Sequence, residues 1–244
     1  MKFYQAIAQN YDHIFPFKPA QLAFIEREID KNCKVCEIGF ATGSLLIQLL
    51  KKGYQMQGLE LDSTLQKLAE GKVIQHQPDY DFGLLRCADM RNIAELYLNE
   101  QLDAILCLGN TLVHLSSLVE IEKFFADIYS ILKSNGKLIL QIINYERIFN
   151  LKLTGLPTIE NEFIRFERFY DYRSDDRFVD FRTKLVSKQD SQSLQNNIRL
   201  LALRKGEIEQ ISKKIGFSQI GFYSNWQHTK WNDDGIPLIC VLQK

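Results

Sequence analysis

The sequence predicts an α/β protein built on a doubly wound, mostly parallel sheet, and two observations lead to this prediction. Short apolar runs alternate with amphipathic helical segments from residue 34 to residue 143. Nearly continuous apolar runs of this kind are typical of parallel strands buried on both faces. The first run, at 34–38, is followed by a glycine-rich turn and a helical segment, which is the order found at the nucleotide-binding corner of such folds.

Length and composition fit a single domain. The chain has 244 residues, 45% of them hydrophobic, and 30 basic residues balance 30 acidic ones. A neutral chain without a polybasic run gives no electrostatic reason to expect nucleic acid or an anionic membrane as a partner. No signal peptide is evident. Cys36, Cys87, Cys107 and Cys240 lie in predicted strands, which favours buried free thiols and a cytoplasmic location.

The N-terminal segment, residues 3–30, is predicted to be mainly helical, with breaks at Pro16 and Pro19. Its apolar and aromatic residues recur at helical spacing from Phe3 and Tyr4 onward. We expect this segment, as residues 1–30, to form a helical cap on the domain.

Five strands and four helical segments are predicted to follow. The strands are expected at 34–38, 55–59, 83–87, 103–108 and 137–143, and the helical segments at 44–52, 63–70, 91–98 and 117–133. Gly71 is a suitable end for the second of these helices. Ser117 and Glu120 offer a capping box for the last one, and Asn135–Gly136 predicts a turn before the fifth strand. With these strands, residues 31–145 are the predicted cofactor-binding core.

After Asn144 the pattern changes to the residue-by-residue alternation of antiparallel strands. Residues 158–188 alternate in this way, with a hairpin turn predicted at 174–176, and the whole β-rich insertion or lid is expected to span 146–203. A helix at 205–215 and strands at 218–224 and 237–242 then return to the sheet, within a closing segment 204–244. The complete prediction is a Rossmann-like, seven-stranded sheet with an antiparallel insertion after the fifth strand.

The insertion is rich in arginine. One of these arginines would be able to bind a substrate carboxylate if the insertion forms a lid, and the sequence does not select among them. They are Arg165, Arg168, Arg173, Arg177 and Arg182.

The glycine-rich turn fits two ligand patterns to different degrees. The dinucleotide fingerprint G-x-G-x-x-G needs glycines at 39, 41 and 44, where the chain has Gly, Ala and Ser. The adenosylmethionine pattern needs an acid at 37 and glycines at 39, 41 and 43, where the chain has Glu37, Gly39, Ala41 and Gly43. The second pattern fits better, and glycines in such a turn let the backbone approach its ligand closely.

Polar residues follow the next strands at the same edge of the predicted sheet. Glu60 ends the second strand, where a carboxylate accepts hydrogen bonds from ribose hydroxyls. Asp89 follows the third strand and can accept from an adenine amino group while Met90 packs on the ring. Because ligands bind at the carboxyl ends of strands in open parallel sheets, these residues support the same site.

Together these residues resemble the class I adenosylmethionine-dependent methyltransferases, and among them the small-molecule branch that includes glycine and sarcosine N-methyltransferases. Tyr11–Asp12, residues 109–115, Asn144–Tyr145 and Phe169–Asp171 carry the closer similarity. The resemblance implies S-adenosyl-L-methionine as cofactor and S-adenosyl-L-homocysteine as product. It also implies the following cofactor contacts: Glu37, Gly39, Ala41, Gly43, Glu60, Leu61, Asp89, Met90, Leu108 and Gly109.

The resemblance further implies that Asn110, His114 and Asn144 face a small-molecule substrate. Methyl transfer from a sulfonium is an in-line displacement by a nitrogen or oxygen nucleophile, so the protein mainly positions the acceptor and needs no metal. His114 and Tyr11 are the candidate general bases, and Tyr11 has the alternative role of closing over the cofactor. Residues 141–143 are less polar than in glycine-methylating relatives, which argues against glycine as the acceptor.

Three other functions stay open at this point. A nicotinamide-dependent oxidoreductase would use the same corner, although two fingerprint glycines are missing. A nucleic-acid methyltransferase would share the cofactor, although the zero net charge disfavours it. A protein that binds the cofactor without catalysis is the third, because the sequence contains no obligatory catalytic residue.

Overall fold

Strands and helices alternate through the first half of the chain, and a separate antiparallel sheet follows. The computed structural model describes residues 7–98, 101–173, 177–189 and 192–244. The strands are β1 (Lys34–Ile38), β2 (Gln55–Glu60), β3 (Leu85–Cys87), β4 (Leu102–Cys107), β5 (Leu132–Ile143), β6 (Gly155–Glu160), β7 (Ile164–Asp171), β8 (Phe178–Ser187), β9 (Ser193–Leu201), β10 (Gln219–Tyr223) and β11 (Pro237–Gln243).

Most of the helices connect these strands. The α-helices are α1 (Tyr11–Ile14), α2 (Pro19–Glu28), α3 (Ser44–Lys51), α4 (Ser63–His76), α5 (Ile93–Leu96), α6 (Leu118–Ile131), α7 (Tyr145–Asn150) and α8 (Lys205–Ile215), and short 3-10 helices span Ala8–Asn10, Phe82–Leu84, Met90–Asn92 and Leu112–His114. Among the described residues, no helix is long and apolar enough to cross a membrane.

The main sheet has seven strands in the order β10-β11-β5-β4-β1-β2-β3. β1 pairs in parallel with β2 and β4, whereas β11 runs antiparallel to both of its neighbours, β5 and β10. The chain moves outward from β1 to β3 and then returns to β4 on the other side of β1. The strand order therefore reverses between β1 and β4, where such sheets bind their ligands. The predicted fold class, with an antiparallel insertion after the fifth strand, is confirmed.

Apolar layers cover both faces of this sheet. In β1, Val35 belongs to one buried cluster, whereas Cys36 and Ile38 belong to the other. Helices α2, α3 and α4 pack on the Val35 side, and helices α6 and α8 pack on the opposite side. This double burial explains why the strands are nearly continuous apolar runs in the sequence.

The insertion forms the second sheet, with β6, β7, β8 and β9 antiparallel in that order. Ile164 and Phe166 of β7 cluster with Ile7 and Ile14 of the N-terminal segment. β9 contacts the turn Leu112–His114, which follows β4. One face of the insertion sheet therefore lies against elements that border the carboxyl edge of the main sheet.

Several predicted boundaries differ from the structure. Helix α4 continues through Gly71 to His76, so Gly71 does not end it. Asn135–Gly136 lies within β5 as an irregularity, because the pairing with β4 jumps from Leu132 to Lys137. Cys87 is exposed rather than buried, because it ends the edge strand β3.

The predicted capping box of α6 forms in part. The Ser117 hydroxyl accepts a hydrogen bond from the backbone N–H of Glu120 (3.2 Å). The Glu120 carboxylate accepts from the N–H of Ser116 (2.6 Å) rather than from that of Ser117. The predicted N-terminal helix is interrupted at the prolines, as α1 and α2 show. Its residues Phe3 and Tyr4, and the predicted turn at 174–176, lie outside the described residues.

Two glycine-to-alanine substitutions are expected to change stability in opposite directions. A Cβ at Gly58 in β2 would lie 2.5 Å from Cδ1 of Phe40 and 2.9 Å from the Glu37 carbonyl oxygen. Gly58→Ala should therefore lower the free energy of unfolding by about 1–3 kcal/mol. A Cβ at Gly71 meets nothing within 4 Å, so Gly71→Ala should raise it by about 0.5–1 kcal/mol. Urea unfolding measures both, and a destabilised Gly71→Ala variant would contradict the continuous α4 helix.

Candidate active site

A cavity of about 360 Å³ lies at the carboxyl ends of the central strands. It is bordered by the turn after β1, the end of β2, the segment after β3 and the loop after β4, with part of the N-terminal segment on the opposite side. Most of the predicted site residues line it: Tyr11, Glu37, Gly39, Ala41, Glu60, Leu61, Asp89, Met90, Leu108, Gly109 and His114.

The turn after β1 contains three left-handed residues, Gly39, Ala41 and Gly43. Gly39 has φ +72°, and a Cβ there would lie 2.6 Å from Oγ1 of Thr111, so only glycine fits. Ala41 has φ +51°, a region that costs an alanine about 1–2 kcal/mol. The departure from glycine at position 41 therefore has a conformational cost, although the sequence alone suggests only a small steric one.

Glu60 connects this turn to the end of β2. Its Oε2 accepts the backbone N–H of Ala41 (2.8 Å), and its Oε1 accepts the N–H of Asp62 (2.9 Å). Burial raises the pKa of Glu60, and these hydrogen bonds partly offset that effect. A carboxylate has about four acceptor positions, so Glu60 keeps capacity for ligand hydroxyl groups on the cavity side.

Glu37 lies at the base of the cavity. It is 6% exposed, and its Oε2 is buried without a hydrogen-bond partner among the described residues. Burial, together with the nearby charge of Glu60, raises the pKa of Glu37 to about 8. A buried carboxylate without a partner is costly, and a cationic ligand would supply the missing charge.

Asp12 joins the N-terminal segment to the glycine turn and to helix α4. Oδ1 of Asp12 accepts from the hydroxyls of Thr42 (2.5 Å) and Ser44 (2.9 Å), and Oδ2 forms an ion pair with Lys72. Burial alone would raise the pKa of Asp12, but these partners lower it below its ordinary value. Residues 15–17 of the same segment line the cavity, so Asp12 holds this wall against the glycine turn.

The segment after β3 carries an ion-pair chain at the rim of the cavity. Asp89 caps the turn that begins at Met90, accepting the backbone N–H of Arg91 (2.9 Å), and it also pairs with the Arg91 guanidinium (2.8 Å). Arg91 pairs in turn with Glu120 of α6 (2.9 Å). These contacts fix the direction of the Asp89 carboxylate, which lies beside Met90 in the lining.

The two candidate general bases lie on different elements. His114 ends the 3-10 turn after β4, and Tyr11 begins α1; both line the cavity. Burial lowers the pKa of His114 to about 4, so its imidazole is neutral at neutral pH and can accept a proton.

Three predicted site residues do not belong to the residues that line this cavity. Gly43 is the N-cap of α3 with φ +74° and packs near Ala69, where an added Cβ would lie 3.1 Å from the alanine Cβ. Oδ1 of Asn110 accepts the N–H of Ile143 (3.0 Å), so the side chain joins the ends of β4 and β5. Gly43 and Asn110 therefore support the elements of the site without bordering the cavity.

Asn144 also differs from its predicted role. Its amide nitrogen donates to the carbonyls of Asp233 (2.9 Å) and Gly235 (3.0 Å), and its Oδ1 accepts the N–H of Arg147 (3.2 Å). The side chain is only 2% exposed. Asn144 is therefore a structural cap of α7, because all of its hydrogen-bonding groups already serve the fold.

Comparison with known proteins agrees with this geometry. Residues 35–136 match the methyltransferase domain family. Glycine/sarcosine N-methyltransferase of Aphanothece halophytica is 28% identical over 215 residues, which cover 86% of this chain and 76% of that protein. These matches support a class I adenosylmethionine-dependent methyltransferase.

Solved structures show the same methyltransferase fold. An S-adenosylmethionine-dependent methyltransferase from Clostridium acetobutylicum has a TM-score of 0.78 at 17% identity, with 98% of both chains covered. CalS10, an amino pentose methyltransferase from Micromonospora echinaspora solved with bound SAM, has a TM-score of 0.67 at 16% identity, with 97% of this chain and 96% of that chain covered. The family match and the N-methyltransferase relative, together with this fold, make the chain a methyltransferase enzyme whose cofactor is S-adenosyl-L-methionine.

The charges of the cavity fit this cofactor better than a dinucleotide. Glu37 and Glu60 are both buried beside the glycine turn, where a dinucleotide would place its pyrophosphate. A pyrophosphate would oppose the ionisation of both carboxyl groups, whereas a ligand with a sulfonium and an ammonium group would favour the charged form of Glu37, whose pKa burial raises to about 8. The methyltransferase site therefore selects against the nicotinamide alternative by charge as well as by its missing glycines.

Sequence reasoning missed the residues that hold the site together. Tyr11–Asp12 resembles the corresponding pair in small-molecule methyltransferases, but the neighbouring sequence does not show that Asp12 reaches the glycine turn. Gln141 accepts the N–H of Gly109 through its Oε1 (2.9 Å), and Thr111 packs against Gly39. Each contact joins segments that are distant in the chain, so no local spacing of residues predicts it.

Glu37→Gln is expected to flatten the pH dependence of the ligand-free methyltransferase. The pKa of Glu37 rises from 4.5 to about 8 on folding, so the folded protein holds an extra proton between these values. Wild-type stability should then fall as the pH rises from about 5 to about 8. Urea unfolding at several pH values measures the slope, and Glu95→Gln, on an exposed side chain, is the control. Equal slopes in wild type and Glu37→Gln would contradict the assignment.

Glu60→Ala is expected to weaken cofactor binding by roughly 1.5–3 kcal/mol, the range for hydrogen bonds to a charged group. That range corresponds to a dissociation constant for adenosylhomocysteine that is roughly tenfold to 150-fold higher. Titration calorimetry measures the change, with Glu95→Ala as the matched control. An unchanged dissociation constant would show that Glu60 does not contact the ligand.

Proposed function

We propose that this methyltransferase transfers the sulfonium methyl group to a nitrogen or oxygen atom of a small molecule. The observation that carries the proposal is the wall formed by residues 11–17. Asp12 pins this wall to the glycine turn, and Tyr11, Phe15 and Phe17 line the cavity from that side. A cavity of about 360 Å³ within such a wall fits the scale of small-molecule sites and not a polymer groove.

Within this proposal, the cofactor contacts follow the predicted assignment. Glu60 receives the ribose hydroxyls, Asp89 and Met90 receive the adenine, and Gly39 and Glu37 face the methionine part. Leu61, Leu108 and Gly109 complete the lining, and Ala41 donates its N–H to Glu60 rather than to the ligand.

Bound S-adenosyl-L-methionine supplies an electrophilic methyl group and leaves as S-adenosyl-L-homocysteine. The chain's residues position the acceptor, exclude water and receive a proton from a nucleophile that carries one. His114 is the proposed acceptor of that proton, because burial keeps its imidazole neutral. Tyr11 closes the opposite side of the cavity.

The names of similar proteins support an amine as the acceptor. One relative methylates glycine and sarcosine, and one structural neighbour methylates an amino pentose. The side-chain oxygen of Gln141 already accepts the N–H of Gly109, and the next two residues of β5 are isoleucines. This apolar strand end favours an acceptor other than glycine.

Binding and turnover test the proposal directly. We expect adenosylhomocysteine to bind in titration calorimetry and methyl groups from labelled adenosylmethionine to appear on members of an amine and alcohol panel. Methylation of RNA or DNA in place of the panel would support a nucleic-acid methyltransferase instead. Cofactor binding with no methylated product from any acceptor class would favour a protein that binds without catalysis.

His114→Gln is expected to lower kcat by about 10²–10⁴-fold, the usual contribution of a general base. Because burial lowers the pKa of His114 to about 4 in the ligand-free protein, wild-type kcat/KM should show no inflection from this group between pH 6 and 8. Tyr11→Phe is the comparison, since it removes only a hydroxyl group. A larger loss in Tyr11→Phe than in His114→Gln would assign the base to Tyr11.

A further inference from the structure

The segment that carries Asp89 and Met90 follows the shortest strand of the main sheet. β3 has three residues and lies at the edge of the sheet, where it pairs with β2. Among the described residues, no strand lies on its outer side, so the sheet supports the segment after β3 from one side only. Helix α6 contacts the 3-10 turn Met90–Asn92 that follows. The position of this part of the cavity lining therefore depends on α6 as well as on the sheet.

Arg91 joins this turn to α6. Its guanidinium donates through Nη1 to Oδ2 of Asp89 (2.8 Å) and through Nε to Oε1 of Glu120 in α6 (2.9 Å). Its backbone carbonyl also accepts from Nζ of Lys123, one helical turn further along α6 (3.3 Å). Because a planar guanidinium presents its donors in a fixed fork, Arg91 sets the positions of the two carboxylates relative to each other.

Glu120 is itself held by the segment that precedes α6. Its Oε2 accepts from the backbone N–H (2.6 Å) and from the hydroxyl (2.7 Å) of Ser116. These hydrogen bonds, with the contribution of Arg91, lower the pKa of Glu120 to about 2, so its carboxylate is charged throughout the neutral range. Glu120 therefore gives the Arg91 guanidinium a fixed anionic partner in addition to Asp89.

The Asp89 carboxylate depends on Arg91 for its direction. Within the described part of the chain, both of its hydrogen bonds come from Arg91: Oδ1 accepts the backbone N–H, and Oδ2 accepts from the guanidinium. A carboxylate has about four acceptor positions, so Asp89 keeps capacity for a ligand while these two bonds hold it. Without the guanidinium, only the backbone hydrogen bond of Oδ1 would remain, and Oδ2 would be free to turn.

The direction of this carboxylate decides which base it recognises. The exocyclic amino group of adenine donates hydrogen bonds, whereas hypoxanthine has a carbonyl oxygen at the same position. A carboxylate that is held toward this position accepts from adenine and rejects hypoxanthine, because two acceptors would then face each other. A carboxylate that turns freely loses part of the hydrogen bond to adenine and avoids part of the repulsion by hypoxanthine.

We propose that Glu120 is a positioning residue for cofactor recognition, which acts through Arg91 to hold Asp89 toward the exocyclic amino group of adenine. This chain of ion pairs makes the enzyme select an adenosyl ligand over an inosyl ligand. The inference rests on the proposed function, because Asp89 is the proposed partner of the adenine. Partly exposed ion pairs contribute little to folding stability, so the role of Glu120 is expected in ligand selectivity.

Paired calorimetric titrations with adenosylhomocysteine and with its deaminated analogue, S-inosylhomocysteine, test the inference without knowledge of the acceptor. We expect the wild type to bind adenosylhomocysteine at least roughly tenfold more tightly than the analogue. In Glu120→Gln and in Arg91→Gln, this ratio of dissociation constants should fall by about threefold or more, because adenosylhomocysteine binds more weakly and the analogue does not. An unchanged ratio, which includes an equal loss for both ligands, overturns the proposal.

Glu122→Gln is the matched control. Glu122 lies in the same helix, forms an ion pair with Lys214 (2.5 Å), and its side chain is 38% exposed, against 31% for Glu120. It does not belong to the cavity lining, so its substitution should leave the ratio at the wild-type value. An equal fall in Glu122→Gln would reflect the charge of α6 in general and overturns the proposal. A loss of folded protein weakens both ligands by the same factor, so the ratio stays decisive for a destabilised variant.

Asp89→Asn separates this inference from the proposed function. The asparagine amide can donate to the carbonyl oxygen of hypoxanthine, so this variant should lose or reverse the preference for adenosylhomocysteine. A preference that survives in Asp89→Asn refutes the proposed contact between Asp89 and the adenine, and this inference with it. A preference that is lost in Asp89→Asn but unchanged in Glu120→Gln and Arg91→Gln refutes only the positioning role. Because Glu120 acts through Asp89, adding Glu120→Gln to Asp89→Asn should change the ratio no further.

Discussion

Two backbone hydrogen bonds to the Glu60 carboxylate join the parts of the site that the sheet brings together. One comes from Ala41 in the left-handed turn after β1, and the other from Asp62 at the start of α4. Glu37 lies beside it without a partner of its own. Because burial raises the pKa of Glu37 to about 8, this carboxyl group holds a proton near neutral pH before any ligand binds. A cationic sulfonium ligand favours its charged form and a pyrophosphate opposes it, which distinguishes the two kinds of site on the same turn.

The molecule contains a second electrostatic arrangement of opposite sign. The inner face of β7, β8 and β9 holds Arg168 and other polar groups without partners, between apolar rows that close the insertion onto the N-terminal segment. Negative charge thus lies at the methyl-donor end, and positive charge lies under the insertion.

Elements with a strong periodic pattern could be predicted from the sequence, and those set by distant contacts could not. The bounds of β1 and α8 agree with the prediction, because burial on a sheet face or helix stripe is visible in the spacing of apolar residues. The predicted helix end at Gly71 is wrong, because α4 continues through this glycine and nothing crowds its position. Asn144 was assigned to the substrate on resemblance, yet its amide caps α7 and binds carbonyls of the loop before β11.

The sequence by itself determined the class of the fold, the glycine turn and the acids at the strand ends, because each is a local pattern within one strand and its following loop. Only the tertiary structure decided which residues close the cavity and which side chains hold the Asp89 carboxylate. Asp12 reaches Thr42, and Arg91 reaches Glu120, through contacts between separate segments. Such contacts depend on packing and strand register, which no local spacing encodes.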